Sequence, residues 1–142
     1  MNARGPTRRL ALAGIALSCA WPVAHAAESA LPAPDSLADA LASALARSQP
    51  LVVMASLRGC PFCRIVREHY LMPELATGLP VVQIDLRDRR AVRDFDGAPR
   101  THEAMLAAWG IAVAPTLLFF GRGAREVAEP VSYTHLTLPT KA

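Results

Sequence analysis

Three features of the chain predict an α/β domain. Apolar runs of strand length alternate with helical patterns across residues 35–130. The run 51–57 is nearly continuous and apolar, as in a central strand covered on both faces, and 81–86 is a second, mainly apolar run of strand length. Between the first run and the next helical pattern stands a C-x-x-C, Cys60-Pro61-Phe62-Cys63, at a strand-to-helix junction.

The elements follow in order. Residues 27–34 are small and carry two prolines, which reads as a mobile linker. Asp35 or Ser36 caps a first helix, whose Leu37, Leu41 and Leu45 share one face, and Gln49-Pro50 ends it. Residues 51–57 form a central strand. Gly59 frees the chain to turn, and Pro61 suits a first helical turn, where its missing N–H costs nothing. The helix then runs through Phe62, Ile65, Val66, His69 and Tyr70 until Pro73 kinks or ends it. Residues 81–86 make a second strand. The charged stretch 87–100, with Asp94, Asp96 and Gly97 around Phe95, reads as a solvated connection and fits no calcium loop. Thr101 caps a helix that turns Ala104, Met105, Ala108 and Trp109 to the core and closes at Gly110. Residues 117–120 are the third strand, Gly121-Arg122-Gly123 a tight turn, and 124–129 its hairpin partner.

Both ends stand apart from this domain. Residues 1–26 have Arg4, Arg8 and Arg9, an apolar run, and small residues ending in Ala24-His25-Ala26, the pattern of a cleaved secretory signal peptide. Arg8-Arg9 is similar to a twin-arginine signal but equally suits an ordinary leader. Attachment to a membrane is expected only if Cys19 were lipidated, and Ala16 stands where such processing sites usually have Leu. Lys141 is the only Lys of the chain, and residues 131–140, VSYTHLTLPT, resemble a translated sequencing adapter, so 131–142 read as a non-native tail.

Without the two ends the charge changes sign. The whole chain is formally +3, whereas residues 27–130 hold eleven Arg against twelve Asp plus Glu, a net of about −1. That excludes a nucleic-acid signal from overall basicity. With the leader removed, Cys60 and Cys63 remain, an even pair suited to an oxidising compartment. A helix N-terminus beside Cys60 favours its thiolate, the form that attacks disulfides.

Two motifs in the same order resemble the thioredoxin-like superfamily, in particular its exported members. One is Cys60-Pro61-Phe62-Cys63-Arg64, and the other is residues 109–120, WGIAVAPTLLFF, similar to the segment around that family's cis-proline. The resemblance covers residues 35–129 and implies a three-layer fold around a central mixed sheet, with the family's last helix missing. It implies a cis bond between Ala114 and Pro115, packed against the cysteines, with the Ala114 backbone pairing to an extended substrate. Departures accompany the matches. Met54 occupies the place of thioredoxin's buried Asp, and Pro61-Phe62 replace its Gly-Pro.

The expected activity is thiol-disulfide exchange with cysteine-containing exported proteins and a further redox partner, without cofactor or metal. Cys60 is the expected attacking thiolate and Cys63 the resolving thiol. Pro61, Phe62, Ala114 and Pro115 are the expected substrate contacts, and Arg58 adds a charge near Cys60. Reduction or isomerisation comes ahead of oxidation as the direction. The rival classes are a metal-binding or metallochaperone module using both thiolates, a redox-inert interaction domain, and a glutathione-dependent glutaredoxin.

Overall fold

A computed structural model describes residues 29–132. The signal-peptide pattern and residues 133–142 of the expected tail lie outside the described residues.

Helix α1 (Leu37–Ala46) begins at Ser36, whose hydroxyl accepts the Asp39 N–H at 3.2 Å, and buries Leu37, Leu41 and Ala44. Strand β1 (Leu51–Ser56) is buried at every residue. Val52 and Met54 point into one apolar cluster while Leu51, Val53 and Ala55 point into another, so a strand with period two shows no alternation in sequence. Helix α2 (Pro61–Val66) passes into a π-helical turn (Arg67–Leu71) and then α3 (Met72–Ala76). The helical course therefore continues past Pro73. The π turn, in which the Met72 N–H reaches the Arg67 carbonyl, lies just before the residue that lacks a donor.

Strands β2 (Val81–Asp85), β5 (Thr116–Phe120) and β6 (Glu126–Ser132) complete a mixed sheet of order β2-β1-β5-β6. β1 runs parallel to β2 and antiparallel to β5, which in turn pairs antiparallel with β6. One face carries α1 and α4 (His102–Ala108) over a cluster built on Val53, Ile84, Met105, Leu106 and Leu118. The other carries α2 and the π turn over Met54, Cys63, Val66, Leu71 and Leu117. Two helical layers thus flank the sheet, β6 stays largely exposed, and no helix follows it among the described residues.

Several sequence expectations change here. Within 87–100 a small hairpin forms from β3 (Ala91–Arg93) and β4 (Pro99–Thr101), with Val92 buried under it. Phe95 of the same stretch packs on Trp109 and Phe120, at ring-centroid distances of 5.9 and 4.7 Å. The Asp94 carboxylate holds Arg100 at 2.7 Å, and that of Asp96 accepts the Ala98 N–H at 2.8 Å, so both acids serve the turn. The described part of the segment expected as a mobile linker, residues 29–34, is docked: Leu31 is buried and the Pro32 carbonyl accepts the Gln83 N–H at 2.8 Å. Ala104 and Ala108 are exposed, because α4 turns its His102, Met105 and Leu106 inward instead. β6 starts later than the predicted partner strand and continues through Val131 and Ser132.

Candidate active site

The redox pair sits where β1 ends. Gly59 adopts φ +75°, a conformation that L side chains rarely take, and this turns the chain from the strand into α2. Cys60 is the N-cap of α2, in extended backbone, and its sulfur accepts the Cys63 N–H at 3.1 Å. A helix N-terminus has unpaired N–H groups, and here one of them is aimed at the sulfur that is expected to attack. Cys60 and Cys63 are joined as a disulfide, with Cα atoms 5.3 Å apart. Their exposures differ: Cys60 is half-buried, whereas Cys63 is 0% exposed. Of the two residues, only Cys60 reaches solvent.

The sheet register brings the second motif to the same place. Ala55 pairs with Thr116 across the antiparallel β1–β5 ladder, so the residues just before Thr116 face the chain leaving β1. The Ala114–Pro115 peptide is cis. Pro115 is buried, and Ala114 packs with Cys60 against the cluster that contains Cys63. Phe62, between the cysteines in sequence, is 44% exposed, and Val113, two residues before Pro115, is 56% exposed, so each motif carries exposed apolar surface. Pro61 and Arg58 are exposed as well.

Met54 is wholly buried in the same cluster as Cys63, so the surroundings of the second thiol on β1 are apolar. The nearest polar feature of this helix was not foreseen from sequence. Arg67 follows Cys63 by four residues, hence on the same face, and is only 5% exposed. Its guanidinium donates to Gln83 Oε1 at 3.1 Å, to the Ser29 carbonyl at 3.3 Å and to the buried Ser56 hydroxyl at 3.3 Å. Gln83 passes the chain on to Asp85 at 2.8 Å. Helical periodicity marks position 67 as inward-facing, but an Arg there reads as surface until its partners are known.

Beyond Gln83 lies a group of donor atoms, from Asp85, Asp88 and His102, within 4.8 Å of one another. Its positive charge is Arg90, which reaches Asp85 at 2.8 Å and Asp88 at 2.7 Å. His102 Nδ1 accepts the Asp85 N–H at 3.2 Å, so that lone pair is committed. Burial, assisted by Arg90, holds the His102 pKa below its ordinary value. The Asp88 carboxyl is also held low, first by the Arg90 backbone N–H and then by its side chain, against an opposing effect of burial.

No family model and no curated protein matches the chain. Among solved structures, one titled "DsbH Oxidoreductase" superposes with a TM-score of 0.52 at 16% identity, covering 85% of this chain and 83% of its own. The fold is thioredoxin-like. Oxidised thioredoxin O2 from Arabidopsis thaliana also matches, at 20% identity over 73% of this chain and 83% of its own, with a TM-score of 0.43. In this thioredoxin-like arrangement the cysteines and Ala114–Pro115, separated in sequence, share one end of the sheet.

Proposed function

We propose that the chain is an exported thiol-disulfide oxidoreductase acting on proteins. The observation that carries this is Cys60, half-buried at a helix N-cap and receiving the Cys63 N–H, set over a fully buried Cys63. In the reducing direction the Cys60 thiolate attacks one sulfur of a substrate disulfide. An enzyme–substrate disulfide forms and the substrate's own S–S bond breaks, releasing its first thiolate. Cys63, having given up its proton, attacks Cys60 Sγ. The second substrate thiolate leaves, the Cys60–Cys63 disulfide forms, and two electrons have passed to the substrate. A dithiol donor then restores the pair. Oxidation of a substrate is the same sequence reversed.

In this reading the Ala114 backbone, next to Pro115, pairs with an extended substrate, and the exposed Pro61 and Phe62 border its approach. Export rests on the leader pattern of residues 1–26 and on the even cysteine pair. Reduction or isomerisation is the favoured direction, and the measured potential separates it from oxidation. A value near about −270 mV supports reduction and one near about −120 mV supports oxidation.

The test uses two variants with a disulfide-bonded protein substrate. Cys60→Ser should abolish exchange. Cys63→Ala should accumulate a mixed disulfide through Cys60, visible as a band lost on reduction. Full activity in Cys60→Ser would overturn the assignment. N-terminal sequencing of the exported fraction should find a start just after Ala26.

A further inference from the structure

We propose that the groove at the carboxyl ends of β1 and β2, rimmed by Arg58, Arg87 and Arg89, binds an acidic segment of the protein substrate next to its reacting cysteine. This rests on the oxidoreductase reading of Cys60 and Cys63.

Register places the groove beside the redox pair. Ser56 pairs with Asp85, so the loops leaving β1 and β2 emerge side by side. They enclose an open groove of about 710 Å³, running from Leu57 and Arg58 to the turn 85–90. The Leu57 carbonyl accepts the Cys60 N–H at 3.2 Å, so the groove starts within one turn of the attacking sulfur. Space outside the carboxyl ends of parallel strands is where open α/β sheets bind ligands. The volume exceeds what one inorganic anion fills and suits a short run of side chains.

Its charge is one-sided. Among the described residues Arg58, Arg67, Arg87, Arg89 and Arg90 line it with two acids, Asp85 and Asp88, in a domain whose formal balance is slightly negative. Both acids, Asp85 and Asp88, are already bound to Arg90. Arg58 and Arg87 have no ion-pair partner among the described residues. Arg89 reaches Glu103 only at 3.8 Å, between exposed side chains, where such a pair contributes little. Arg87 has φ +62°, a left-handed conformation that suits Gly or Asn, so the turn after β2 presents a cation from strained backbone. A substrate chain crossing Cys60 must lie over neighbouring surface on each side of its cysteine. On this side the surface is cationic, and acidic residues complement it.

The experiment gives the reduced protein three disulfide peptides that differ only in the residues flanking the cysteine: Asp and Glu, Ser, or Lys. At low salt kcat/KM for the acidic peptide should exceed that for the Ser peptide by about tenfold, with the Lys peptide slowest. The acidic-to-Ser ratio should fall toward one in about 0.5 M NaCl. It should fall likewise in the double variant Arg87→Asn, Arg89→Gln, in which Asn tolerates the left-handed turn. A ratio near one in the parent, with Ser-peptide exchange intact, overturns the groove and leaves the oxidoreductase reading in place. Failure of all three peptides overturns both. Acceleration by these arginines confined to glutathione disulfide, and absent with acidic peptides, overturns the peptide assignment in favour of a small anionic disulfide.

Discussion

At Arg67 a charged residue type and a buried position meet, and hydrogen bonds to Gln83, Ser29 and Ser56 help reconcile them. The guanidinium ties the Cys63 helix to the end of β1 through Ser56, to β2 through Gln83 and to the docked N-terminal segment through Ser29. Its planar fork offers five donors in fixed directions, which one ammonium does not reproduce. Arg67→Ala would leave the Ser56 hydroxyl and the Gln83 side chain short of a buried partner, a loss of about 2–3 kcal/mol. Urea unfolding should therefore show a clear fall in midpoint, with Arg67→Lys recovering only part of it; an unchanged midpoint in the Ala variant would refute the bridging role. The Cys60–Cys63 pair was legible from its C-x-x-C spacing, and the cis bond before Pro115 from the family resemblance of residues 109–120. Arg67 was not, since its identity argues for solvent and only the fold supplies Ser29, Ser56 and Gln83.

Elements differed in legibility for a related reason. The strands 51–56 and 81–85 and the capped helices stood out because several residues in each repeat one physical pattern. β3 and β4 have three residues apiece and bury essentially Val92 alone, too little for any period to show. The cationic groove has no sequence signature either, because it assembles from two separate loops through the β1–β2 register. Helix α4 is a short element that depends on its cap. It has seven residues, and the Thr101 hydroxyl accepts the Ala104 N–H at 3.1 Å at its start. Short helices are marginal alone, so the cap and the burial of His102, Met105 and Leu106 hold this one. Thr101→Ala should cost about 1 kcal/mol, whereas Thr101→Ser keeps the acceptor and most of the stability. Thermal melts of the two variants check this, and equal losses would show that the hydroxyl bond contributes nothing.

The stability of the whole molecule should depend on pH through the junction where β2, the β3–β4 hairpin and α4 meet. His102 is buried there; its Nδ1 accepts the Asp85 N–H, its backbone N–H reaches the Arg90 backbone carbonyl at 3.1 Å, and the Glu103 N–H reaches the Asp88 backbone carbonyl at 2.9 Å. Protonating His102 would place a charge in a buried site and replace the acceptor that Asp85 uses. Its folded pKa lies below its ordinary value of 6.5, so below that pH the unfolded chain binds a proton that the folded chain resists. Stability must therefore be full above pH 6.5, decline as pH falls beneath it, and level off below the folded pKa. Asp88 acts lower on the scale, because its depressed pKa gives a contribution present above the ordinary 3.8 and lost as pH falls through the folded value. Urea midpoints from about pH 7.5 to 3 should show an upper decline that sets in below 6.5 and belongs to the imidazole, and a lower one that sets in below 3.8 and includes Asp88. His102→Asn offers a side-chain oxygen but no titratable group, so it should remove the upper decline while retaining the Asp88 contribution to the lower one. A parent protein whose midpoint is level between pH 7.5 and 5, or an Asn variant that keeps the upper slope, would locate the pH sensitivity elsewhere than at this junction.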